Sequence, residues 1–111
     1  MKDTLTKFTH QSDALDASHG TSLKGHLYNT TYNDLYETFG PPTFDDVSSD
    51  SKVQFEWVFD FNGNTYTIYD WKTFSQDYTL NELTKWNIGG KEYYGDFSDH
   101  IETLIDKSKQ L

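Results

Sequence analysis

The steadiest alternation of apolar and polar positions runs from Lys52 to Lys72, KVQFEWVFDFNGNTYTIYDWK. Val53, Phe55, Trp57, Phe59 and Phe61 alternate with Gln54, Glu56, Val58 and Asp60, the period of two that marks a half-buried strand. After Asn62-Gly63, the stretch Thr65 to Trp71 is almost entirely β-branched or aromatic. A two-residue hairpin turn needs φ > 0 at both central positions, which Asn tolerates and Gly adopts freely. The turn therefore predicts the register: Phe61 opposite Asn64, Phe59 opposite Tyr66, Trp57 opposite Ile68 and Phe55 opposite Asp70. Cross-strand partners share a face, so Phe55, Trp57, Phe59, Tyr66 and Ile68 form one apolar surface. The other face pairs Gln54 with Trp71, Glu56 with Tyr69, Val58 with Thr67 and Asp60 with Thr65.

Helical spacing appears twice. Tyr32, Leu35, Tyr36 and Phe39 fall at i, i+3, i+4, i+7, with Thr31 as N-cap, Asp34 in the first turn, Gly40 as the C-terminal stop and Pro41-Pro42 behind it. The final helix is expected over about Phe97 to Lys109, capped by Asp96 or Ser98, with Phe97, Ile101, Leu104 and Ile105 inward. Two further strands are expected: Ser22 to Tyr28, with Leu23 and Leu27 on one side of a Gly25 that can mark a bulge, and Leu83 to Ile88, ending in a Gly89-Gly90 turn. Residues 1–20 read as a mobile arm, with a weak helix at Ser12 to Ala17 as the alternative. Thr43 to Ser51 reads as a solvated acidic loop, and the polar connection from Lys72 to Glu82 offers Phe74, Tyr78 and Leu80 as anchors. The expectation is one α+β domain over residues 21–111: an antiparallel sheet of about four strands with two helices on its apolar face, in the order β-α-β-β-β-α.

Composition adds constraints. Hydrophobic residues make up 34% of the chain and half of those are aromatic, at 17%, so the core is expected to be built from rings. With 18 acids, nine bases and a formal charge of −9, the chain lacks the basic footprint that direct nucleic-acid binding requires. It has no cysteine, which excludes disulfides, thiol chemistry and Cys-ligated zinc. Neither a signal-type apolar stretch nor a membrane-length run is present, so a cytoplasmic protein is expected.

No catalytic arrangement emerges. His10, His19, His26 and His100 are not at metal-ligand spacing, and no Ser lies in a nucleophile elbow. Asp60 to Asn64 lacks the length and closing Glu of a calcium loop. Glu56 and Asp70 fall on opposite hairpin faces, which argues against an acid-base pair, and Asp70, on the apolar side, is expected to sit at the sheet edge, cap a backbone group or pair with a lysine. The candidate binding surface is therefore the acidic-aromatic face, with Trp71, Tyr69, Glu56 and Trp86. Beside it Gly89, Gly90 and Lys72 would provide a place for a phosphate if backbone N–H groups converge there. No metal or cofactor is expected.

Several stretches taken together, GTSLKG with His26, TYNDLYETFGPP, the hairpin and KWNIGG, resemble a family of small proteins encoded by tailed bacteriophages. That family reads roughly G-T-S-L-x-G-[HY], T-Y-x-x-L, F-G-x-P, K-V, W, T-I-Y-[DN]-[WY]-K and W-x-I-G-G. The resemblance covers about Gly20 to Gly90 and carries no assigned activity. A helix ending F-G-x-P before a Trp-containing strand is also locally similar to exported lipoprotein and β-lactamase-inhibitor modules, a likeness read as convergent. What the phage resemblance implies is a non-enzymatic viral accessory protein of the host cytoplasm, acting in counter-defence or on a host factor. Its partner would be a host or phage protein or a small nucleotide-like ligand, and a homo-oligomer is compatible with it. The alternative is an acidic nucleic-acid mimic presenting Asp45, Asp46, Asp50, Glu56, Asp60 and Asp70 to a basic groove.

Overall fold

The computed structural model of the protein describes residues 3–45, 55–70 and 85–110. Its elements follow the order β1 (Leu5–Lys7), α1 (Gln11–Ser18), β2 (Ser22–Tyr28), α2 (Tyr32–Phe39), β3 (Glu56–Phe61), β4 (Asn64–Tyr69), β5 (Lys85–Gly90) and α3 (Gly95–Lys109). The five strands form one antiparallel sheet in the order β1-β3-β4-β5-β2. The α+β class holds, with one strand more than expected and, in α1, the helix that stood as the alternative to a mobile arm at Ser12 to Ala17.

The β3–β4 hairpin has the register that its turn dictates, from Glu56 opposite Tyr69 to Phe61 opposite Asn64. Asn62 and Gly63 both have positive φ, 54° and 87°. Asp60 accepts from the Gly63 N–H at 2.9 Å and steadies the turn. Beyond the regular ladder, Phe55 and Asp70 also face each other. The fully buried Asp70 carboxylate accepts the Phe55 N–H at 2.8 Å, and the Asp70 N–H donates to the Phe55 carbonyl at 3.2 Å. Of its expected roles, Asp70 takes that of backbone cap.

The core lies between one face of the sheet and helices α2 and α3. Leu27, Phe55, Trp57, Phe59, Tyr66, Ile68, Trp86 and Ile88 from the sheet side meet Leu35, Phe97, Ile101 and Ile105 from the helices. Rings dominate it: Trp57 meets Trp86 edge-on at 5.6 Å, and Tyr66 stacks on Phe97 at 4.5 Å. Their polar atoms are satisfied. Trp57 Nε1 donates to the Gly40 carbonyl, Trp86 Nε1 to the Thr30 carbonyl and the Tyr66 hydroxyl to the Tyr93 carbonyl. Helix α2 starts with a reciprocal capping box: Thr31 Oγ1 accepts from the Asp34 N–H at 3.1 Å, and Asp34 Oδ2 accepts from the Thr31 N–H at 2.9 Å. Its Gly40 N–H donates to the Tyr36 carbonyl at 2.7 Å. Tyr36, expected inward, is exposed. Helix α3 begins two residues earlier than expected, with Tyr94 at its N-cap and no side-chain cap from Asp96 or Ser98.

Residues 3–18, expected to be an arm, are part of the fold. Leu5, Thr6 and Lys7 pair with Phe61, Asp60 and Phe59. Helix α1 packs against β4. Its buried Ala14 stands outside the main core cluster. Val58 and Thr67, directly opposite each other on the sheet's second face, are buried, so α1 covers that part of the second face. The arm expectation failed because a three-residue strand carries too little pattern to be read without its partner. Thr43 is likewise not a solvated loop residue: its buried hydroxyl donates to the Phe8 carbonyl at 2.8 Å and accepts the Val58 N–H at 3.2 Å. Phe44 forms a two-bond bridge with Glu56. No helix among the described residues is long and apolar enough to cross a membrane.

Candidate functional site

The predicted site residues do not form one surface. Trp86 is fully buried in the core. Gly89 and Gly90 are not a turn but the last two residues of β5, paired with Leu23 and Ser22 on one side and with Thr67 and Tyr66 on the other. They are glycine for lack of room: a Cβ at Gly89 would lie 2.6 Å from Thr67 Oγ1, and one at Gly90 would lie 2.9 Å from the Tyr66 ring. With both strands of the sheet beside them, these residues offer no convergent N–H cradle for a phosphate. Trp71 and Lys72 lie outside the described residues, as do the expected anchors Phe74, Tyr78 and Leu80 and the acids Asp46 and Asp50.

Glu56 and Tyr69 are brought together, and the sheet extends them into a row. Glu56 stands opposite Tyr69, Tyr69 opposite Asn87 and Asn87 opposite His26, so four polar side chains cross β3, β4, β5 and β2 on the second face. All four are half-buried. Burial, assisted by the charge of Asp70, pushes the Glu56 carboxyl up to about 7. Burial raises the Tyr69 hydroxyl too, opposed by a hydrogen bond from the Asn87 side chain and reinforced by the charge of Glu56. Asp70 thus acts on Glu56 electrostatically, although the two belong to opposite faces. Asn87 and His26 were not singled out from the sequence, because the strand pairing that aligns them links residues far apart in the chain.

The face of β2 is set by a bulge between Leu23 and Gly25. Without it Leu23 and Leu27 would share a side. With it, Leu27 enters the core opposite Trp86, whereas Leu23 sits opposite Gly89 on the second face. Leu23 is 53% exposed and Tyr28 58%, and the Tyr28 ring lies 5.9 Å from that of His26.

The two edges of the sheet differ in length. On one side β3 is flanked by the three-residue edge strand β1, continued by the Phe8 N–H bonded to the Val58 carbonyl, by Thr43 and by the Phe44 bridge. Strand β2, seven residues long, forms the opposite edge, and no described residue pairs with the outer side of its backbone. No family model matches the chain, no curated protein matches it, and no solved structure matches it. Among the described residues no group of acids and histidines is placed to hold a metal ion.

The acids named for a nucleic-acid mimic are likewise dispersed. Asp70 is buried as a backbone cap, Asp60 steadies the hairpin turn, and Glu56 titrates near neutrality.

Proposed function

We propose that this is a non-enzymatic bacteriophage accessory protein of the host cytoplasm, acting in counter-defence or on a host factor by binding a protein partner at the β2 edge. The resemblance of Gly20 to Gly90 to the phage family supports the origin. The observation that carries the binding mode is the length of the β2 edge: β2 runs seven residues with no described residue paired to its outer side, whereas β1 at the opposite edge has three. An unpaired edge accepts an extended segment through main-chain hydrogen bonds, with alternate side chains giving specificity. The bulge bends the first half of β2, so the pairing stretch is Gly25 to Tyr28, flanked by His26 and Tyr28 on the second face. Between Asp16 and Asp34 the chain carries no acid, while His19, Lys24 and His26 fall there, so this edge is the least acidic part of a −9 protein and suits a neutral or acidic strand. A nucleotide-like ligand is less well supported, because Gly89-Gly90 is committed to the sheet.

A second reading, the nucleic-acid mimic, is favoured by a different acid set from the one the sequence suggested. Asp96, Asp99, Glu102 and Asp106 are exposed along α3 and follow one side of it. Native mass spectrometry of the tagged protein from infected cells separates the readings. The edge reading expects a protein complex that survives about 0.5 M salt, where the Debye length is only a few Å, and that is lost in Tyr28→Asp. A complex that dissolves in salt, persists in Tyr28→Asp and is lost in Asp99→Asn/Glu102→Gln would replace it with the mimic. A small-molecule adduct as the sole bound species would overturn both.

A further inference from the structure

The fifth strand has a consequence on the core side of the sheet. Strands lie about 4.8 Å apart, and a helix with its side chains is about 10 Å across. By that measure two helices cover about four strands, and where β1, the fifth, meets α2 and α3 there is a groove of about 660 Å³, within the range of roughly 300–1,000 Å³ usual for small-molecule sites. Its apolar lining is Leu5, Phe39, Phe59 and Leu104.

Lys7 also lines this groove, on the core side of β1 opposite Phe59. Its ammonium donates to the Pro41 carbonyl at 2.7 Å, and burial lowers its pKa. An ammonium has three donors, and no carboxylate among the described residues lies within 4.0 Å of this one. In a chain with twice as many acids as bases, a partly sunken cation with no carboxylate within 4.0 Å among the described residues is unusual. Neither acid that lines the groove, Asp3 or Glu37, lies within 4.0 Å of this ammonium. Asp3 lies 4.0 Å from His100, and the formal charges of the exposed Glu37 and Lys107 cancel.

We propose that this groove binds a free single-chain amphipathic anion, its carboxylate or phosphate head on Lys7 and its hydrocarbon chain along the partly exposed Leu5, Phe39 and Leu104. The head would supply Lys7 with a counter-ion, and the chain would cover the exposed parts of Leu5, Phe39 and Leu104. This site is separate from the β2 edge and lies on the other face of the sheet.

Backbone amide NMR with decanoate and decyl phosphate, each held below its micelle-forming concentration, tests the assignment. The expected result is saturable shifts at Leu5–Lys7, Phe39, His100 and Leu104, with decanol binding about tenfold or more weakly, as loss of one charge-assisted contact implies. Lys7→Met should lower decanoate affinity to that of decanol, and Leu104→Gln, which keeps the lysine, should weaken both. Inward-pointing lysines also protect sheet edges from self-pairing. If that is the whole role of Lys7, wild type shows no saturable shifts and Lys7→Met self-associates. That outcome overturns the proposal, as do equal affinities for decanol and decanoate, shifts that map elsewhere, or binding to anionic lipid vesicles without binding to the monomeric amphiphiles.

Discussion

Glu56 sits where burial and a neighbouring carboxylate both oppose its ionisation. A carboxyl raised in the folded state binds more protons folded than unfolded. Its contribution to stability is fully present below its ordinary value of 4.5 and is lost as pH rises through about 7. At about 1.4 kcal/mol per unit, that contribution is at most about 3 kcal/mol. Glu56→Gln should therefore melt above wild type at pH 8 and show a flatter stability profile between pH 4.5 and 7, measured by thermal denaturation. An unchanged profile would refute the burial argument. Gly89 offers a steric counterpart. Gly89→Ala places a methyl against Thr67 Oγ1 and should cost about 1–3 kcal/mol. Adding Thr67→Ala should recover part of that loss, giving a favourable coupling in a double-mutant cycle by urea denaturation. The glycine pair shows why single residues misled the reading of the chain. Gly punctuates turns so often that a pair of them after a strand suggests one, whereas here the missing side chains make room for Thr67 and Tyr66, neighbours that only the strand pairing identifies.

Elements with local signals were legible and those defined by a distant partner were not. The Asn62-Gly63 turn encodes the hairpin register within a few residues, and α2 carries its own start and stop in Thr31, Asp34 and Gly40. Strand β1 has no such signal, since Leu5–Lys7 becomes a strand only through Phe59, Asp60 and Phe61. The face occupied by Leu23 was hidden in the same way: Gly25 suggests a bulge, but its position relative to Leu23 decides which residues change sides. Of the candidate site, the Glu56–Tyr69 half was readable from the turn, while Asn87 and His26 depend on pairings across β5 and β2. If β1 is integral, deleting residues 1–9 uncovers the Phe59–Phe61 edge and removes the Thr43–Phe8 bond. The truncated chain should melt lower and self-associate, detectable by calorimetry and size-exclusion chromatography. A truncation that melts with wild type and elutes as wild type would return these residues to the status of an arm.

Across the whole molecule, charge and connectivity matter more than any one contact. A formal charge of −9 on a single small core means self-repulsion opposes compaction. Raising salt from about 0.02 to 0.3 M, which shortens the Debye length from roughly 20 Å to under 6 Å, should raise the melting temperature. A fall would show that favourable ion pairs outweigh the repulsion. The sheet order has a further consequence. The first two strands in the chain occupy the two outermost positions, while the centre is the later run β3-β4-β5. A ribosome releases the N-terminal third before either of its docking edges exists, so β1 and β2 emerge with nothing to pair with until β3 and β5 follow. Closing those long loops is entropically slow, and the meander must assemble before its flanks can zip on. Folding during synthesis therefore cannot proceed from the first residue onward. Strand β1 waits, exposed to chaperones and proteases, for β3, and β2 waits longer, until β5 has left the exit tunnel.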